Sequence, residues 1–359
     1  MLSFDITLNY KDFALDVAQT LPSAGVTALF GRSGSGKSTL LRVISGLESH
    51  AKGRITWGDE VWQDATHFTP PHKRGLGYVF QDTRLFPHLT VAQNLSYADK
   101  RARAHPGPSM SDIITALDLA PLLPRYPATL SGGEGSRAAI GRALLTRPRM
   151  LLMDEPLAAL DATRKAEILP YLERLRDQIG TPILYVSHNM PEVVRLASHL
   201  MLMEAGRILH AGPLETLLSD PATAPALGPR EAGAVITATL AAQEEDGLSR
   251  LTCATGPLYL PRINAPLGAR LRIRILAQDV ILAREAPSGL SALNILPATI
   301  TDIRENGPGL LVQLRMGDDL ILARVTHRSA AALGLALGLD CFVVLKSLAV
   351  AQDSIGAPL

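Results

Sequence analysis

The chain has 359 residues, of which 47% are hydrophobic and 19% charged, and its formal net charge is +1. That length exceeds one ordinary domain and suits two or three, with apolar residues enough for each core. The near-neutral charge excludes charge-driven nucleic-acid binding, and two distant cysteines, Cys253 and Cys341, exclude a disulfide framework and fit a reducing compartment.

Met1-Leu2-Ser3-Phe4-Asp5 lacks the basic-then-apolar layout of a signal peptide, and no uncharged apolar run is long enough to span a bilayer. Membrane association is therefore expected only through a partner. Residues 2–8 alternate apolar and polar, which predicts a half-buried antiparallel strand. Tyr10 and Phe13 follow, and either could stack on a purine; Tyr10 is taken as the stacking candidate. An apolar run, Val26 to Phe30, then feeds a glycine-rich turn. Gly31, Gly36, Lys37 and Ser38 complete the pattern G-x-x-x-x-G-K-S, with Arg32, Ser33, Gly34 and Ser35 between them and Thr39 next. The glycines let successive N–H groups curl round an anion, and the following helix start favours phosphate. Lys37 is placed to reach the β- and γ-phosphates, and Ser38 to ligate Mg²⁺.

Residues 53–59 and 61–62 read as two strands about a Gly-Asp turn, and 69–74 as a loop. Leu76 to Phe80 is a strand that delivers Gln81 at its end, where ligands bind in α/β sheets. Residues 85–147 read as mostly helical, with a breaker-rich stretch at 104–108 and a helix starting at Ser111. Ser131, Gly132, Gly133 and Glu134 admit two readings: a capped helix start, or a second anion site. Periodicity does not separate them. The continuous apolar run 150–153 predicts a buried parallel strand ending in Asp154-Glu155, with Asp154 placed to hold Mg²⁺ and Glu155 to polarise water. Pro182 to Val186 is another such strand, ending in Ser187-His188. Residues 200–208 read as a hairpin. The stretch 221–229 reads as a linker with three prolines, and short strands with Gly turns beyond it suggest small β-barrels in two sets.

Taken in order, the phosphate loop, Gln81, Leu130-Ser131-Gly132-Gly133-Glu134, Asp154-Glu155, Ala159-Leu160-Asp161 and His188 resemble the ATP-binding-cassette ATPases over about residues 1–220. Gly77 to His88, Leu169-Pro170-Tyr171-Leu172 and the tail from Ser291 to Ser347 are similar to the ATPase subunits of bacterial molybdate importers. The resemblance implies an α/β P-loop cassette at 1–222, with a mixed sheet core and a helical subdomain at about 85–147. A linker at 223–231 and an all-β, OB-like barrel domain at 232–359 follow, its clearest oxyanion-binding unit at 290–355. It implies ATP and Mg²⁺ as cofactors, with Ser38, Gln81 and Asp154 as metal residues, Glu155, His188 and Gln81 in catalysis, and Asp161 in the loop between subunits. It also implies an oxyanion set of Ser291, Asn294, Lys346 and Ser347. The expected assembly is a homodimer at the cytoplasmic face of the plasma membrane. Integral permease subunits, a periplasmic or extracellular molybdate-binding protein and no nucleic acid complete the implied partner list. The anion would be molybdate or tungstate; sulfate or sugar import, and a soluble cassette ATPase, remain alternatives. One departure stands out: Gly135 and Ser136 replace the basic residue and Gln usual before Arg137. Glycine there costs about 1 kcal/mol of helix stability relative to alanine, so a weaker helix start and a lost Gln contact are expected.

Overall fold

The computed structural model describes residues 1–103, 105–158, 160–228, 231–350 and 355–356. Ala104 of the expected breaker stretch, Ala159 of the triplet before Asp161, Pro229 and Arg230 of the expected linker, and 351–354 and 357–359 of the expected barrel lie outside them. The chain divides into two units, Met1–Ala211 and Gly212–Leu359.

The first unit begins with β1 (Leu2–Asn9), β2 (Ala14–Thr20), β3 (Val26–Phe30), α1 (Lys37–Ser45), β4 (Lys52–Trp57) and β5 (Glu60–Gln63). It continues through α2 (Pro71–Arg74), β6 (Leu76–Val79), α3 (Val91–Asp99), α4 (Met110–Ala116) and α5 (Gly132–Leu145). It ends with β7 (Met150–Asp154), α6 (Ala162–Ile179), β8 (Ile183–Ser187), α7 (Met190–Leu196), β9 (His199–Glu204) and β10 (Arg207–Pro213). An antiparallel sheet has the order β2-β1-β4-β5, and a second sheet runs β10-β9-β3-β8-β7-β6. In β1 the two-residue period buries Leu2, Phe4, Ile6 and Leu8 and leaves Asp5, Thr7 and Asn9 outside. In the second sheet, β3 pairs parallel with β8 and β9, and β7 with β6 and β8. Every residue of β3, β7 and β8 is buried, as a parallel sheet covered on both faces requires. Leu40, Leu41 and Ile44 of α1 pack between the sheets with Phe4, Leu15, Leu152 and Leu184. The strand-to-helix turn after β3 is thereby fixed from both sides.

Two local expectations change. Residues 71–74 form a helical turn, not a loop, because the Arg74 guanidinium is buried beneath α1. It donates to the Thr69, Val43 and Ile44 carbonyls at 2.8–2.9 Å and so closes the C-terminal end of α1. The helix expected from Ser111 starts at Met110, capped by Ser109, because the Asp112 carboxylate accepts from the Ser109 amide at 2.9 Å.

The second unit contains α8 (Leu214–Ser219), α9 (Ala224–Leu227), β11 (Gly233–Gln243), β12 (Leu248–Cys253), β13 (Gly256–Pro261), β14 (Arg270–Leu276) and β15 (Ile281–Ala283). β16 (Asn294–Asn306), β17 (Gly309–Met316), β18 (Asp319–Thr326), α10 (His327–Leu333) and β19 (Asp340–Leu345) complete it. Its sheets run β13-β12-β11-β14 and β15-β19-β16-β17-β18. The two strand sets do not build a core each. Ile236, Leu251 and Leu258 from one sheet share a single cluster with Ile300, Val312 and Val343 from the other. The stretch read as a linker is also packed. Thr223 is fully buried and its hydroxyl donates to the Asp220 carbonyl at 2.9 Å, Leu227 is buried, and Ala224 joins Ala232, Ala277, Leu311 and Leu322 in a small core. Its prolines suggest a spacer, but Pro225 sits in the first turn of α9, where a missing N–H is harmless. Cys253 and Cys341 are free and buried.

Candidate nucleotide site

The second sheet of the first unit brings four strand ends to one edge: Gly31 follows β3, Asp154 ends β7, His188 follows β8, and Gln81 lies two residues beyond β6. A cleft of about 290 Å³ opens there, lined by Phe13, Ser33, Gly34, Gly36, Lys37, Ser38, Thr39, Gln81 and Glu155. Gly36 caps α1 with φ +102°, and a Cβ on it would lie 2.5 Å from Phe13 Cζ, so both backbone and space require glycine. The first amides of α1 are free of helical partners and are available to an anion at that end. Ser35, inside the loop, holds a buried hydroxyl with no hydrogen-bond partner.

Lys37 is 4% exposed and donates to the Gly31 and Arg32 carbonyls, both at 2.9 Å. Burial pulls its pKa below the usual lysine range, and the negative charges of Glu155 and Asp154 oppose that pull. Ser38 Oγ donates to Asp154 at 2.8 Å and the Tyr78 hydroxyl donates to the other oxygen at 3.2 Å. Burial raises the Asp154 carboxyl pKa, and these two donors hold it down in part. Glu155 bridges the rest of the site, with Oε1 3.7 Å from Lys37 Nζ and Oε2 3.1 Å from His188 Nδ1. Its backbone has φ +45°, a conformation that costs a non-glycine residue energy and clusters at functional sites. Burial also drives the Tyr78 phenol upward, so it stays a donor.

Tyr10 does not join this cleft. It is half-exposed, and its hydroxyl donates to Glu48 at 2.6 Å. Phe13 takes the place at the rim, because the turn bonded from the Tyr10 amide to the Phe13 carbonyl folds β2 back over the phosphate loop. Alternation along the sequence gives Phe13 no advantage over Tyr10, so this choice was not legible there. Tyr78 was equally hidden, as one aromatic within an apolar strand.

Ser131, Gly133 and Glu134 line a separate cleft of about 240 Å³ with Arg137, Arg164, Glu167, Ile168 and Tyr171. It shares no lining residue with the first. The capping box is complete: Ser131 Oγ accepts from the Glu134 amide, and Glu134 accepts from the Ser131 amide at 2.6 Å and from Arg125 at 2.9 Å. α5 begins at Gly132, directly after this cap. Gly135 makes room for Thr83 beyond Gln81, since a Cβ there would lie 3.2 Å from Thr83 Cγ2. Ser136 Oγ donates to the Pro156 carbonyl at 3.0 Å. Asp161 caps α6 by accepting from the Arg164 amide at 2.9 Å, and it lines neither cleft.

The expected oxyanion set in the second unit is only partly available. β16 and β19 pair Asn294 with Leu345, which brings Lys346 and Ser347 to the end of the strand pair where Ser291 lies just before β16. Ser291 and Lys346 are exposed, and the Ser347 hydroxyl is buried without a partner. Asn294 leaves the set, because its amide is closed on the Tyr259 backbone at 2.7 and 3.0 Å.

Comparison with known proteins agrees with this geometry. Residues 15–158 match the ABC transporter family model and residues 290–352 the TOBE domain. A Methylococcus capsulatus protein named "Molybdenum import ATP-binding protein ModC" is 49% identical over 348 residues, covering 96% of this chain and 98% of its own. One of the same name from Thiobacillus denitrificans is 50% identical over 347 residues, covering 96% of each chain. Among solved structures, a nucleotide-free ATP-binding cassette from an ABC transporter superposes with TM-score 0.54 at 26% identity, covering 64% of this chain and 98% of that one.

Proposed function

The chain belongs to the molybdenum import ATP-binding proteins of the ABC transporter family, and on that footing we propose that it hydrolyses ATP to drive uptake of molybdate, or tungstate, through partner membrane subunits. The observation that carries this reading is one cleft in which a phosphate-loop lysine meets a strained Glu155, whose other oxygen contacts His188. The triphosphate draws Lys37 from the Gly31 and Arg32 carbonyls and lies along the amides of Gly34 to Thr39, with the purine against Phe13. Mg²⁺ fits the residues present, since Ser38 and Asp154 already meet at 2.8 Å and Gln81 lines the same cleft, an all-oxygen set suited to that hard cation. Ser38, Gln81 and, through water, Asp154 would hold it, and when bound it supplies charge neutralisation across the β- and γ-phosphates. Glu155 then accepts the proton of the attacking water as Lys37 turns to the phosphates. His188 contacts the γ-phosphate and holds the far Glu155 oxygen in place.

The separate Ser131 cleft gains a purpose in a homodimer, where Ser131, Gly132 and Gly133 of one copy cover the nucleotide held by the other. An isologous pair uses both anion sites twice, and ATP closes it because those contacts exist only in the closed pair. Asp161 then lies between the copies. Among the described residues no helix is long and apolar enough to cross a membrane, so permease subunits would carry the anion and hold this chain at the cytoplasmic face. A molybdate-binding protein would deliver it. Ser291, Lys346 and Ser347 remain the candidate regulatory anion ligands.

The test is uptake by the assembled transporter with labelled molybdate and sulfate in parallel. ATP-dependent molybdate uptake that excess sulfate does not reduce is expected. Uptake of sulfate at the same rate would refute the assignment of the anion.

A further inference from the structure

We propose that Lys165 and Glu192 are a positioning pair, which ties the start of α6 to the backbone around His188 and so sets the hydrolysis step. The proposal rests on the reading that Glu155 and His188 act on the terminal phosphate.

Glu192 on α7 is 3% exposed, and three side chains converge on it. Tyr185 and Ser187 hydroxyls donate to Oε2 at 2.9 Å each, and Lys165 Nζ donates to Oε1 at 2.8 Å. Ser187 is used twice, because its hydroxyl also accepts from the Asn189 amide at 3.0 Å. The Asn189 side chain in turn accepts from the Glu192 amide at 3.1 Å. His188 therefore sits between two residues that are both pinned to Glu192. Its own ring is largely exposed and meets Glu155, so the pinned backbone decides where the ring points. Tyr185 is fully buried and burial drives its pKa far upward, which keeps it a donor to this carboxylate.

Lys165 supplies the other end. It stands in the first turn of α6, its amide bonded to the Asp161 carbonyl at 3.0 Å. A displacement of that turn moves Lys165, then Glu192, then Ser187 and Asn189, and finally the His188–Glu155 contact. The helix start that a second copy would touch is thus linked to the residue that would sense the terminal phosphate. Stability alone does not ask for charges here: an apolar pair of similar size commonly serves a buried contact as well, and a buried ion pair earns its place where geometry must be specific.

The experiment measures ATP turnover, KM and melting temperature of the full-length chain carrying Lys165→Met, Lys165→Arg, Glu192→Gln or the double change Lys165→Met/Glu192→Gln. Misplacement by about 1 Å of a group near the reacting atoms costs about 100-fold in rate. Lys165→Met and Glu192→Gln are therefore expected to lower kcat about 10- to 100-fold, with KM within about 3-fold. Lys165→Arg restores most of the rate, and the double variant is no slower than the singles. A change in kcat below about 3-fold for Lys165→Met overturns the proposal, as does a loss confined to KM and melting temperature, or an Arg variant no better than Met. If Glu192→Gln does not fold, the Lys165 variants decide alone, since that side chain lies nearer the surface. Glu155→Gln is run alongside: activity there would sink the underlying reading, whereas its inactivity with a fully active Lys165→Met would sink only the positioning pair.

Discussion

Glu155→Gln separates chemistry from binding at the site. The amide keeps the size and reach of the carboxylate, so the 3.1 Å contact with His188 survives with the amide oxygen as acceptor or the amide nitrogen as donor. What disappears is the proton acceptor and one negative charge. General-base catalysis contributes about 10²- to 10⁴-fold, which is about 2.7–5.4 kcal/mol of barrier, so turnover is expected to fall by that factor. Affinity moves the other way. Glu155 Oε1 lies 3.7 Å from Lys37 Nζ and competes with the incoming phosphates for that ammonium. At such a separation the bare attraction is about 4 kcal/mol in an effective dielectric of ~20. Desolvation cancels most of it, leaving an expected gain of about 3- to 10-fold in ATP affinity. Phosphate release gives the rate, fluorescent nucleotide titration gives the affinity, and size-exclusion chromatography with ATP reads the dimer that accumulates when hydrolysis stalls. Turnover within about 5-fold of the unchanged protein would remove Glu155 as the base, since no general-base role is that small.

Phe13→Ala is expected to weaken ATP binding about 5- to 100-fold, the loss of ~1–3 kcal/mol of aromatic–base stacking, while Tyr10→Phe leaves affinity unchanged; the reverse order in a nucleotide titration would restore Tyr10 to the site. Asp154 has its pKa raised by burial, so its contribution to stability is full below the unfolded carboxyl pKa and is lost as pH rises through the folded one. Asp154→Asn should therefore raise the melting temperature at neutral pH while abolishing hydrolysis, and a lower melting temperature would contradict that sign. Removing the Tyr78 donor by Tyr78→Phe should move the acid limb of the pH–rate profile to higher pH, which a shift to lower pH would refute. Arg74→Met strips donors from buried carbonyls at the end of α1 and should cost about 3–5 kcal/mol in urea unfolding; a loss below about 1 kcal/mol would mean water replaces the guanidinium.

How much of this the sequence carried depends on whether a role is local. Lys37 and Ser38 were legible from the glycine-rich pattern between β3 and α1, and Asp154 and His188 because each stands at a strand end, where one apolar run followed by a polar residue marks the edge of a parallel sheet. The capping box at Ser131 was legible because both partners lie three residues apart. Phe13 was not, because its place over Gly36 depends on how β2 folds back, and Tyr10 obeys the same local pattern. The proline-rich stretch at 221–229 failed for a related reason. Proline marks where backbone hydrogen bonds stop, and the burial of Ala224 is decided by Leu311 and Leu322, nearly a hundred residues later. Ser136 shows the limit most sharply. Its neighbours predict a weakened helix and a missing contact, and both expectations treat α5 as if it stood alone. In the folded chain Gly135 gives space to Thr83 and Ser136 reaches the carbonyl of Pro156. A departure from a family's usual residues at this helix start thus touches the loop after Gln81 on one side and the residue after Glu155 on the other. A helix propensity of about 1 kcal/mol describes α5 alone and carries neither of these tertiary contacts.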